Sequence, residues 1–368
     1  MSARRWVFVL ALVLGACSSS DKPKPTPLEA VAQQLPTRVV WSQKMGATPL
    51  PLAALARGGQ FIVAAGDGGV AAYRAADGST VWSGSVGAPL SAGVGSDGRF
   101  AAVVTRDNQL VLLDQGAPKW REQLVSRVAT APLVAGERVF VMGVDRAIEA
   151  YDTLDGRKLW RLARPGDALT LAQPGVLAAY KNTLLAGQGP RLAAIDPLRG
   201  SLQWELPLAA PRGTNEVERL ADLVGPMLRV GDMVCARAFQ NAVGCADVER
   251  ASLLWSKNIG GTAAVGGDDS LVVGADANDR ITAWRPGSGE VAWTSERLLH
   301  RDLSGAALWG RAVVFGDFEG QLHFFDRETG HPLARLATDG SAIIGTPVVE
   351  GGTLLVQTRS GGLFAIRE

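Results

Sequence analysis

The chain has 368 residues, 47% of them hydrophobic and 20% charged, with 37 basic and 36 acidic side chains. That is globular composition with enough apolar material for a sizeable core, and the balanced charge leaves no basic excess to suggest nucleic acid. Length alone permits two or three domains, or a single large all-β fold.

The first residues read MSARRWVFVLALVLGACSSS. Arg4 and Arg5 precede an apolar run over 6–16. The run is too short to span a bilayer but suits the apolar core of an export signal. It closes on Leu14-Gly15-Ala16-Cys17, which resembles the bacterial lipobox. The resemblance implies cleavage before Cys17, diacylation of that cysteine and, because Ser18 rather than an aspartate follows, sorting to the outer membrane. Residues 17–37 carry prolines at 23, 25, 27 and 36. Such a run resists packing, so it reads as an extended tether of roughly 60 Å at about 3.1 Å per residue. The division expected is therefore signal peptide 1–16, lipidated cysteine and tether 17–37, and folded body 38–368.

The body is a repeat. Tryptophans fall at 41, 82, 120, 160, 204, 255 and 293, about forty residues apart. Four residues before most of them stands a glycine: Gly78, Gly116, Gly156, Gly200 and Gly289. Ala251 takes the glycine place before Trp255, and Ala334 takes the tryptophan place after Gly330. Upstream of each such turn lie two short β-rich runs around a Gly, Asp or Asn turn, as in FIVAAGDGGVAAY and VFVMGVDRAIEAYD, and eight such hairpin signatures follow one another. A further short segment such as TAPLVAGERV supplies another strand. Four short antiparallel strands at this period make a propeller blade. The glycine permits the turn into the fourth strand, and the tryptophan is placed to cover the gap between blades. The last unit stops after three strands, whereas Trp41 sits on a strand with no blade before it. An eight-bladed, all-β propeller closed by the N-terminal strand 38–43 follows, since closure removes exposed edges.

Chemistry-bearing patterns are sparse. His300, His323 and His331 are the three histidines, and no HExxH, CxxC, P-loop or GxSxG occurs, so no metal or catalytic residues are assigned. GDGG (66–69) and DAND (276–279) fall where hairpin turns belong. Asp114, Asp152, Asp196, Asp247 and Asp326 recur at one place in the repeat, which points to turn hydrogen bonding rather than a single site. Cys235 and Cys245 lie in the two strands of the fifth hairpin, opposite each other or one residue out of register; a disulfide and two small buried thiols are both open readings.

The repeat with its Gly-x-x-x-Trp ending resembles that of eight-bladed propellers of the pyrroloquinoline-quinone (PQQ) type. Within that superfamily GTNEVERLADL (213–223), LLHRDLSGAAL (298–308) and the TLAQ-containing connection at 167–174 resemble the BamB family of outer-membrane assembly lipoproteins. The resemblance implies a non-enzymatic scaffold without cofactor, lipid-anchored at the outer membrane and facing the periplasm. It implies docking, within the β-barrel assembly (BAM) complex, on the periplasmic POTRA domains of the barrel subunit BamA, with nascent barrel chains as a further candidate partner. The family's contact loops map onto Leu169 and Leu171 and onto Arg219 and Asp222, with Glu218 as a further charge that could carry the docking. Ala172 stands where the family has arginine and Val224 where it has a second acid, so each loop carries one charge fewer.

The repeat itself places these loops together. Segments 167–174 and 208–226 each link a fourth strand to the next first strand, and in up-and-down blades all such links share one rim. Asn215 and Glu218 make a capping box, which predicts a short helix, with Arg219 reaching Asp222 three residues on. Two other classes remain. A PQQ- and calcium-dependent dehydrogenase resembles this repeat too, but those enzymes typically carry adjacent cysteines, unlike Cys235 and Cys245. A periplasmic ligand-binding propeller has no specific feature in its favour.

Overall fold

The computed structural model describes residues 23–163, 170–215 and 217–368. Among the described residues the strands form eight four-stranded antiparallel sheets and no helix. Seven blades are consecutive, from Leu55–Arg57 in blade 1 to Pro332–Ala337 in blade 7. The eighth joins the C-terminal strands Ile343–Glu350, Thr353–Thr358 and Gly362–Arg367 to the N-terminal Arg38–Lys44. The ring therefore closes as the two incomplete ends of the repeat require.

The core lies in the seams between blades. One cluster joins Ile62 and Val70 of blade 1 to Val103 and Val111 of blade 2. Another joins Phe61 and Tyr73 of blade 1 to Leu355 and Leu363 of blade 8, and the pattern repeats around the ring. Both faces of each central hairpin are covered, which is why these strands read as continuous apolar runs.

A β-bulge interrupts the pairing of the outer strand in every blade, beside the tryptophan position: Trp120 faces Leu112 before the shift, Trp160 faces Ala150, and Trp293 faces Ala283. An extra residue of this kind re-aims the neighbouring side chain. Each indole so turned reaches the next blade. Trp41 donates its ring N–H to Ala75 O (3.1 Å), Trp120 to Thr153 O (3.1 Å), Trp160 to Pro197 O (3.0 Å), Trp255 to Pro286 O (2.6 Å) and Trp293 to Arg327 O (2.8 Å). The repeat's glycine sits under the ring. Gly156 has φ +79°, and a Cβ there would lie 2.9 Å from Trp120 Cδ2. Gly78, Gly200, Gly289 and Gly330 meet Trp41, Trp160, Trp255 and Trp293 in the same way. The glycine is thus needed twice, for the turn and for the ring above it. Ala251 keeps the left-handed backbone at φ +50°.

The recurrent aspartates behave as turn residues. Asp152, Asp196, Asp247 and Asp326 accept backbone N–H bonds from Leu154, Leu198, Arg250 and Glu328, while Asp114 pairs with Arg99 at 2.9 Å. Asp67 and Asp276, of GDGG and DAND, likewise accept from their own turns. Cys235 and Cys245 are direct partners in the central ladder of blade 5, with a Cα–Cα distance of 4.1 Å, and are joined as a disulfide.

Residues 26–37 differ from the free tether that their prolines suggest. Thr26 N–H donates to Leu299 O and Gln34 N–H to Leu333 O. Arg301, Arg335 and Arg311 donate to the carbonyls of Thr26, Glu29 and Gln34. Leu28 packs against the seam of blades 6 and 7, and Leu35 is only 1% exposed. Leu35 shares its cluster with Ala334, Trp309 and Ile366. Blade 8 is closed by a second chain end, so it has no glycine turn for a tryptophan to cover. Ala334 leaves that space open and Leu35 fills it. Burying a leucine contributes roughly 1.5–3 kcal/mol, enough to draw an extended segment onto the body.

Candidate functional site: two connections on one rim

The first strands Leu177–Tyr180 of blade 4 and Leu223–Val230 of blade 5 are reached through the connections 163–176 and 208–222. The second connection, at its junction with the strand, contacts the central hairpin turns of blades 4 and 5. Leu223 N–H donates to Gly189 O in the turn of blade 4, and Phe239 N–H in the turn of blade 5 donates to Asp222 O. The connections also touch each other: Gly225 N–H donates to Pro174 O, and Gly175 forms an isolated bridge with Val224.

Asp222 is the centre of this arrangement. Its Oδ1 accepts from Arg146 Nη2 (2.7 Å) and Nε (3.2 Å), and its Oδ2 accepts the Leu171 backbone N–H (2.8 Å). Arg146 comes from the central turn of blade 3, where it holds φ +61°, and its own carbonyl accepts from Gln188 Nε2 at 3.1 Å. The side chains of Arg146 and Asp222 are 22% and 15% exposed. A carboxylate held by a guanidinium and a backbone donor, partly shielded from water, is a positioning element. It ties blades 3, 4 and 5 together at one rim and fixes Leu171. Thr130 extends the tie to the connection before blade 3, since its Oγ1 accepts the Gly175 N–H at 2.9 Å. A small cavity at this junction is lined by Thr130, Arg146, Leu171, Gln173 and Asp222.

The other expected contact residues separate. Leu171 is half-buried and Ala172 exposed. Leu169 lies outside the described residues, as does Cys17. Glu218 and Arg219 are exposed on the longer connection, beside Val217, which is 69% exposed. Two expectations are corrected there. The capping box forms, with Glu218 N–H donating to Asn215 Oδ1 and Asn215 Nδ2 donating to Glu218 Oε1, both at 2.9 Å, but the described residues after it form no helix. Residues 217–219 form a turn and Ala221 and Leu223 are then buried against blades 4 and 5, leaving no length for propagation. Backbone and side-chain donors of Thr214 hold the Glu218 carboxyl below its ordinary range. Asp222 pairs with Arg146 rather than with Arg219, which donates to Gly213 O at 3.4 Å. Val224, in the place of a second acid, is 5% exposed within a strand. Sequence reasoning missed Arg146, because nothing local marks a turn arginine as the partner of an aspartate 76 positions away.

A family model described as "Outer membrane protein assembly factor BamB" matches residues 66–295. A protein of that name from Bordetella pertussis is 35% identical over 364 residues, covering 97% of this chain and 94% of its own length. A crystal structure of BamB from Moraxella catarrhalis superposes with TM-score 0.81 at 23% identity, over 90% of this chain and 100% of that one. A quinohemoprotein alcohol dehydrogenase from Comamonas testosteroni superposes with TM-score 0.68 at 15% identity, over 90% of this chain and 76% of that one. The two structural likenesses speak to the fold.

Proposed function

The chain belongs to the family of outer membrane protein assembly factor BamB, and from that premise we propose that it is a non-enzymatic scaffold of the outer-membrane β-barrel assembly machinery. It is held at the membrane through an acylated Cys17 and docks on the POTRA domains of the barrel subunit through the rim described above. The observation that carries the docking reading is Asp222, which binds two connections and a hairpin turn into one fixed surface. A scaffold contact needs such rigidity, because loops ordered before binding do not have to be ordered during it. Exposed Val217, Glu218 and Arg219 on the longer connection, and half-buried Leu171 tied to Asp222, are the groups a partner would meet. The turn carboxylates at GDGG and DAND are engaged by their own backbone amides, which favours a scaffold over a calcium-dependent dehydrogenase.

The test is recovery of the barrel subunit from envelopes by the wild-type chain, by Asp222→Arg, and by Asp222→Arg combined with Arg146→Asp. Loss in the single variant with recovery in the double assigns Asp222 a positioning role. Loss in both assigns it a direct contact. Undiminished recovery in the single variant would sink this rim as the docking surface.

A further inference from the structure

The segment before the closing strand begins on one rim and ends on the other. Thr26 is bonded to Leu299 O and its carbonyl accepts from Arg301, both in the connection from blade 6 to blade 7. Gln34 is bonded at the opposite end, where its carbonyl accepts from Arg311 in the turn between Ala307–Trp309 and Ala312–Gly316. The rim at Thr26 is the one that carries every blade-to-blade connection, including those holding Leu171 and Asp222. Its grip is strong. Arg301 is 3% exposed and paired with the fully buried Asp317, which also bonds His323 at 3.0 Å. Arg335 holds the middle of the segment at Glu29 O (2.8 Å), the Glu29 side chain pairs with Arg297, and Leu35 locks the far end into the seam of blades 7 and 8.

We propose that the connection rim is the face held toward the lipid surface, and that residues 26–35 are the clamp that orients it. The proposal rests on the reading of Cys17 as acylated. Nine peptide units separate Cys17 from Thr26, a reach of at most about 30 Å. For the opposite rim to face the bilayer, the leader would have to run back along the blade, whose outer strand alone, Pro332–Ala337, is about 20 Å long. Little would then remain to clear the body. The connection rim meets no such obstacle, since Thr26 already lies on it. It also offers Leu50, Val125 and Phe318 as exposed apolar contacts for the headgroup layer. The partner read here is a phospholipid surface, and the docking connections lie on the same side as it.

The experiment uses the full acylated chain on phosphatidylethanolamine–phosphatidylglycerol vesicles with an acceptor dye in the headgroup layer. A donor is attached at Val125→Cys or Val217→Cys on the connection rim, or at Leu154→Cys or Leu198→Cys in turns of the opposite rim. All four side chains are exposed. Transfer should be stronger from 125 than from 154, and from 217 than from 198; equal or reversed transfer overturns the proposal. Releasing the clamp with Leu35→Asp and Arg335→Ala should abolish the difference. So should a flexible insertion of about twenty residues just before Thr26, which leaves the body intact and lengthens the leash. A difference that survives both changes overturns the clamp. A wild-type chain that fails to float with the vesicles overturns the acylation reading, and the proposal with it; flotation without a rim difference overturns the proposal alone.

Discussion

Replacing Gly156 by alanine tests the seam between blades 2 and 3. Gly156 has φ +79°, and the new Cβ would lie 2.9 Å from Cδ2 and 3.1 Å from Cε3 of Trp120. An L-residue in the left-handed region costs about 1–2 kcal/mol. Crowding a ring that is held by its own hydrogen bond to Thr153 O adds about 1–3 kcal/mol, as overpacking does in a filled interior. Gly136→Ala supplies the control, because Gly136 has φ +56° with nothing within 4 Å of the built Cβ and incurs only the backbone cost. The expected gap between the two variants is therefore about 2 kcal/mol. Urea unfolding followed by tryptophan fluorescence and near-ultraviolet circular dichroism measures it. A second arm combines Gly156→Ala with Trp120→Leu, which should recover part of the loss, since residues in contact couple by about 0.5–3 kcal/mol. Gly156→Ala matching Gly136→Ala to within about 0.5 kcal/mol, with no coupling to Trp120, would refute the assignment of the glycine to the inter-blade seam.

Burial lowers the His323 pKa from its ordinary value, against the opposing pull of Asp317 and with Arg335 and Arg301 adding to the lowering. A base depressed in the folded state contributes stability that is fully present above its unfolded pKa, about 6.5, and is lost as pH falls through the folded pKa. The unfolding free energy should accordingly decline on acidification below that point, with a slope no steeper than about 1.4 kcal/mol per pH unit from this group, and His323→Gln should remove that part of the decline. An unchanged acid limb in His323→Gln would refute the assignment. The Cys235–Cys245 bridge closes a loop with sequence separation 10, for which chain entropy predicts up to about 3 kcal/mol. Dithiothreitol should lower the urea midpoint of the wild type but not of Cys235→Ala/Cys245→Ala; equal sensitivity in both would remove the bridge from the account.

The sequence by itself determined the architecture. A forty-residue period, eight hairpin signatures and two complementary chain ends specify the closed ring, because a repeat that buries apolar faces only against its neighbours has to close or cap itself. It also determined the turns, since a local aspartate or glycine acts on its own backbone, as Asp152 does for Leu154 and Gly156 for its own φ. The capping box at Asn215 and Glu218 was legible for the same reason, but the helix it announces was not decided there. That depended on whether Ala221 and Leu223 would be buried, and so on blades 4 and 5. What only the tertiary structure decided involves partners distant in sequence. Asp222 is separated by 76 positions from Arg146 and by 51 from Leu171, and Thr26 by 275 from Arg301. The prolines before residue 37 argued for a free tether, yet the space at Ala334 exists only once the ring has closed, and Leu35 can be recruited to it only then. Local rules act within a few residues of the backbone, whereas a vacancy or a charge partner is created by the assembled fold, and so these two features had no local signature to read.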